Sequence, residues 1–85
     1  MLTLPFQQYI STASQEDVKN KIGSLLTVTY NKLSLADSFI LERLVRRTRG
    51  VAKIKYGTFF YLVMSMEVTY SSSETAITLV LMQVA

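Results

Sequence analysis

Between Ile54 and Tyr70 every second residue is apolar, aromatic or threonine: Ile54, Tyr56, Thr58, Phe60, Leu62, Met64, Met66, Val68 and Tyr70. Period-two alternation of that length describes a half-buried strand, not an amphipathic helix. The turn signal in this region is Ser71-Ser72-Ser73-Glu74, and Thr75–Ala85 reads as a second strand. Pairing Tyr70 with Thr75 sets Val68 against Ile77, Met66 against Leu79 and Met64 against Leu81. A one-residue slip would oppose Glu67 and Ser65 to leucines, so this register is expected. The back face then carries Thr69, Glu67 and Thr78 near the turn. Farther along it carries Phe59, Tyr61, Val63, Val80, Met82 and Val84. These six form an expected interface, because a few helices cover one face of a small sheet but hardly both.

The rest of the chain supplies the covering layer. Residues 1–10 alternate, with Leu2, Leu4, Phe6 and Ile10 on one side, and Pro5 marks an edge strand because it cannot donate to a ladder. Ser14-Gln15-Glu16-Asp17 resembles a capping box. Val18, Ile22, Leu25, Leu26, Thr29 and Leu33 after it follow helical spacing. A second reading of the same stretch stands beside it: Leu26-Thr27-Val28-Thr29-Tyr30 alternates and is β-branched, so a short helix ending at Gly23 would precede a strand over 25–31. Ser34-Leu35-Ala36-Asp37 opens a further helix that ends near Thr48, with Gly50 as its stop. Its apolar stripe is Ile40, Leu41, Leu44, Val45 and Thr48; Ser38, Glu42, Arg43, Arg46, Arg47 and Arg49 take the opposite arc.

The expected architecture is therefore a single α+β domain over residues 1–85. Two helices pack on an antiparallel sheet that ends in a C-terminal β-hairpin, in the order β-α-α-β-β. The alternative, β-α-β-α-β-β, applies if residues 25–31 are a strand. With 85 residues, 49% of them hydrophobic and 18% charged, such a domain has more apolar surface than one core hides. A homo-oligomer is the expected state.

Composition also removes chemistry. The chain has no His, Cys or Trp. Disulfides and Ser-His or Cys-His nucleophiles are excluded, and a zinc site would have carboxylates alone. The three glycines, Gly23, Gly50 and Gly57, are too scattered for a phosphate loop. No catalytic residue, metal or cofactor is expected, and the protein reads as non-enzymatic. The N-terminus lacks the basic region of a signal peptide, and the longest uncharged run, Met1–Gln15, contains Pro5 and is too short to span a membrane. A soluble cytoplasmic protein is expected.

The net charge of +3 is uneven. Residues 1–41 are balanced and residues 56–85 carry two acids. Residues 42–55 hold Arg43, Arg46, Arg47, Arg49, Lys53 and Lys55 against Glu42 alone. From Val51 the chain reads as β, and on that strand Lys53 and Lys55 share a face with Phe59 and Tyr61. Basic groups beside aromatic rings suit single-stranded nucleic acid, charges for phosphates and π-faces for bases. The same charges also read as a solvated face, and the helix-end arginines complement the helix dipole. Two functions are consistent with this pattern: a homo-oligomeric protein that contacts nucleic acid through 43–55, or a protein-interaction or assembly module, such as a small viral or accessory factor, that works through the apolar back face. Glu67, mid-strand, reads as a solvent-facing or intersubunit carboxylate rather than a catalytic one.

Overall fold

The structure is a computed structural model that describes residues 2–15 and 21–85. Among the described residues, six strands form one mixed sheet, with one α-helix and a short 3-10 helix at Gln7–Tyr9. They are β1 (Leu2–Thr3), β2 (Ile10–Gln15), β3 (Leu25–Leu33), β4 (Ile54–Tyr56), β5 (Phe59–Tyr70) and β6 (Thr75–Gln83), and α1 is Leu35–Thr48. The spatial order is β1-β4-β5-β6-β3-β2. Every neighbouring pair is antiparallel except β1–β4, which is parallel.

The expectation of two helices on a purely antiparallel sheet is thus corrected. Leu25–Leu33 is a strand, held by β2 on one side and β6 on the other. Leu26, Val28, Tyr30 and Leu33 are buried along it. Two ladders satisfy the backbone of a strand in this position, and alternate residues enter the core; a helix here would bury one stripe and leave the edge of β6 open. The capping box at 14–17 overlaps the end of β2, and residues 16–20 lie outside the described residues. The N-terminal strand also differs. It pairs only over Leu2–Thr3, and after it Phe6 adopts a left-handed backbone at φ 57°.

From β1 the chain crosses to the opposite edge of the sheet through the left-handed Phe6 and a short 3-10 helix at Gln7–Tyr9. It passes over the face that bears α1. Leu4 is buried there and its N–H donates to the Lys55 carbonyl at 2.8 Å. The Tyr30 hydroxyl donates to the Pro5 carbonyl at 2.8 Å. Burial, then the neighbouring Tyr56, pushes the Tyr30 hydroxyl well above the ordinary tyrosine range, so it stays protonated to donate.

Helix α1 forms where its caps predict. Ser34 Oγ accepts from the Asp37 N–H at 3.2 Å, and Gly50 follows the last turn at φ 70°. Its buried stripe is Ser38, Leu41, Glu42, Val45 and Thr48, rotated from the expected one. Ile40 is 56% exposed, and Glu42 is buried instead. The core is the layer between this stripe, Leu4, and the inward side chains Leu26, Val28, Tyr30, Ile54, Tyr61, Val63, Ile77, Leu79 and Leu81.

Two local breaks decide which side chains face that layer. A two-residue turn at Gly57–Thr58, with Gly57 at φ 65°, pairs Tyr56 with Phe59 and Ile54 with Tyr61. A bulge at Met64 then shifts the β5–β6 register between Val63 and Ser65. Val68 opposite Ile77 and Met66 opposite Leu79 agree with the expected pairing. Met64 opposite Leu81 does not, because Val63 takes that place. Tyr61 (4% exposed) and Val63 (0%) are therefore core residues, and Phe59 packs partly against the core. Phe59, Tyr61 and Val63, expected on the back face, thus point toward the core instead. Phe60 and Leu62 replace them on the back face, beside Val80, Met82 and Val84, with Leu25 across from Met82.

Candidate nucleic-acid interface

Arg43, Arg46 and Arg47 all project from the outer surface of α1 and are exposed. They lie there because Leu41, Val45 and Thr48 occupy the inward stripe of the same turns. Phe39, Arg43 and Arg47 succeed one another at four-residue intervals, a row whose neighbours stand roughly 6 Å apart. Phe39 is 59% exposed, unusual for a phenylalanine on a helix with a core to face.

The row is flanked by two grooves that share Phe39 and Arg43. One, about 360 Å³, is lined by Pro5, Phe6, Phe39, Ile40, Leu44 and the two arginines Arg43 and Arg47. The other is lined by Phe39, Glu42, Arg43, Arg46 and Tyr70. At its far wall the Tyr70 hydroxyl donates to both Glu42 oxygens, at 3.2 Å to Oε1 and 3.1 Å to Oε2. Loss of hydration, then the Glu42 hydrogen bond and charge, raise the Tyr70 hydroxyl above its ordinary value; Arg46 works the other way. Arg46 Nη2 donates to Glu42 Oε1 at 3.4 Å. The buried carboxylate thus orients one arginine and one aromatic ring, while Tyr70 remains 56% exposed.

Arg43 and Arg47 form no ion pair among the described residues. Their charge is open to an incoming anion, and their position in the second half of α1 also places positive charge at the favourable end of the helix dipole. Arg49, at the helix C-cap, and Lys53, in the loop before β4, are exposed. Lys55 is separate. It sits opposite Phe60 on β5 and Thr3 on β1, on the sheet face away from α1. Its expected companions, Phe59 and Tyr61, point to the other side. The six basic residues of 43–55 thus divide between two surfaces, and the aromatic partners of the arginines are Phe39 and Tyr70.

Neither aromatic stood out in the sequence. Phe39 lies one position from the buried Ser38, and only the phase of the Ser38–Thr48 stripe marks it as outward. Tyr70 falls on the core-face alternation, and its exposure comes from standing at the hairpin end.

Among the described residues no group of three His, Cys, Asp or Glu side chains could hold a metal ion. No described helix is long and apolar enough to cross a membrane. No family model matches the chain, and curated proteins and solved structures give no significant match.

Proposed function

We propose that this protein is a non-enzymatic binding protein that takes single-stranded nucleic acid along the outer surface of α1. Arg43, Arg46 and Arg47 meet phosphates, and Phe39 and Tyr70 offer faces for unpaired bases. The observation that carries the reading is the pair of exposed aromatic rings, Phe39 and Tyr70, that line one groove with Arg43 and Arg46, with Arg47 one turn on from Arg43. A duplex keeps its bases stacked internally and would use only the arginines, so the rings favour a single strand.

Fluorescence anisotropy with labelled oligothymidylate and with duplex of equal length, at low and near-physiological salt, tests this. Single strand should bind more tightly, and its affinity should fall steeply with salt. Arg43→Glu with Arg47→Glu should abolish binding and leave the fold intact, since neither side chain enters the core. Phe39→Ala should weaken binding about 5- to 100-fold with the salt slope unchanged, as loss of one stacked base implies. No binding at low salt would sink the proposal. A second reading, an acidic protein partner, is favoured by the apolar floor of the Pro5–Phe6 groove beneath Arg43 and Arg47. An acidic peptide that displaces the oligonucleotide, and that outlasts it at higher salt, would favour that reading.

A further inference from the structure

Among the described residues, no element covers the sheet face away from α1. Leu25, Phe60, Leu62, Val80, Met82 and Val84 form one contiguous group on it, each only half-buried. Thr27, Thr29, Ser65 and Thr78 border the group without adding charge. A patch of this kind on a small chain marks an interaction surface, and the disposition of charge around it identifies the occupant. Lys55 lies at one end, beside Phe60. Glu67 lies toward the other, opposite Thr78. Counted on β6 from Val84 to Thr78, the two are six ladder steps apart, about 20 Å. Their midpoint falls at the level between Leu62 and Ser65 on β5, and between Met82 and Val80 on β6, in the middle of the patch.

We infer that this face takes a second copy of the chain, stacked sheet on sheet about a two-fold axis that runs across the strands between Met82 and Val80. That operation reverses the strands of one copy over those of the other. It brings Lys55 of each to the level of Glu67 of its mate, one strand spacing aside, giving two symmetric ion pairs, and sets Met82 over Val80, Leu62 over Ser65 and Leu25 over Thr27 at the centre. An isologous contact of this kind needs a self-complementary surface. An apolar centre with a base at one end and an acid at the other is one. Lys32 and Glu74, which line a groove with Thr69 and Ala76 at the hairpin end, overhang the partner and are not engaged. β5 and β6 span all six ladder steps while β4, β3 and β2 span fewer, so the footprint is about 300–400 Å² per copy, the size of a weak, transient interface. The dimer should accordingly form in the micromolar range. It is independent of the nucleic-acid reading, because α1 stays on the outside.

Sedimentation velocity of the full chain from about 1 to about 200 µM, across the concentrations at which so small an interface assembles, tests the inference. A concentration-dependent monomer–dimer equilibrium is expected. Val80→Glu should leave only monomer. Lys55→Glu and Glu67→Lys should each weaken association about tenfold, by placing like charges face to face twice. The double exchange, Lys55→Glu with Glu67→Lys, should restore wild-type affinity, a cycle that isolates the pair. Both charges lie at the surface, and retained circular dichroism verifies the fold of each variant. A wild type that stays monomeric at the highest concentration overturns the inference. So does a dimer indifferent to Val80→Glu, or a double exchange no better than its worse single.

Discussion

The bulge at Met64 makes Val63 a core residue and Leu62 a surface one, and paired truncations test that assignment directly. Val63 has no exposed surface and lies opposite Leu81. Val63→Ala removes two buried carbons, about 1.6 kcal/mol at 0.8 kcal/mol per methylene, plus a cavity term of about 1 kcal/mol. The expected loss is about 2–3 kcal/mol. Leu62→Ala removes three carbons, but from the half-buried face that no other described element covers. Its expected cost in the monomer is below about 1 kcal/mol. Read straight through Met64, the alternation demands the reverse ranking, because Leu62 would then be the core residue. Urea denaturation monitored by circular dichroism gives both values, at about 1 µM so that dimer formation does not add to apparent stability. For a domain of this size the larger loss also lowers the thermal midpoint by about 10–20 °C. If Leu62→Ala costs more than Val63→Ala, β5 has no bulge, and both the assigned core and the dimer face are wrong.

Local geometry sets further expectations. Lys32 is exposed and sits at φ 61° in the bulge between Tyr30 and Leu33, so Lys32→Gly should stabilise by about 1 kcal/mol, read as a higher midpoint in urea. Ser34→Ala deletes the cap accepted from Asp37 and should cost about 1 kcal/mol in the same assay. Tyr30 titrates higher in the fold than in the unfolded chain, so its contribution is complete below pH ~10 and is lost as the pH rises toward the folded value. Over that interval stability should fall by about 1.4 kcal/mol per pH unit from Tyr30 alone. Tyr30→Phe should remove that increment of slope while costing about 1 kcal/mol below pH 10 for the lost bond to Pro5. Some alkaline slope should remain, since Tyr61 and Tyr70 are shifted in the same direction.

Local signals made α1 readable: a serine cap, an acid in the first turn and a glycine stop fix both ends without help from the rest of the chain. The hairpin end was readable for a similar reason, since Glu67 and Thr69 force one side outward. β3 was ambiguous because Leu25, Leu26, Thr29 and Leu33 fit helical spacing while Leu26, Val28 and Tyr30 fit a strand. The neighbours β2 and β6, remote in sequence, decide between them. The stretch Phe59–Met64 defeated the alternation for a different reason. All six residues are apolar, so period two carries no phase there. The turn at Gly57–Thr58 inverts the phase and the Met64 bulge restores it, so the error spans the segment between them. The arginines of the candidate site were legible as a charge cluster. Phe39 was not, because its meaning depends on a packing phase that Glu42 shifts by entering the core.

The two surfaces can be separated by length of ligand. In the stacked dimer the sheets are about 10 Å apart and each helix adds about 10 Å, so the two arginine rows lie on opposite outer surfaces some 30 Å or more apart. A strand of about ten nucleotides occupies one row, since α1 itself is about 21 Å long. Val80→Glu should therefore leave the affinity for such a short strand unchanged. A strand of about sixty nucleotides can reach around the dimer to the second row, and bivalence raises its affinity without a new contact. Val80→Glu should lower that affinity about tenfold or more. Equal weakening of short and long strands by Val80→Glu would show that the sheet face acts on the helix surface through the fold and not through bivalence. Equal tightness of both in the wild type would show that the second row is out of reach.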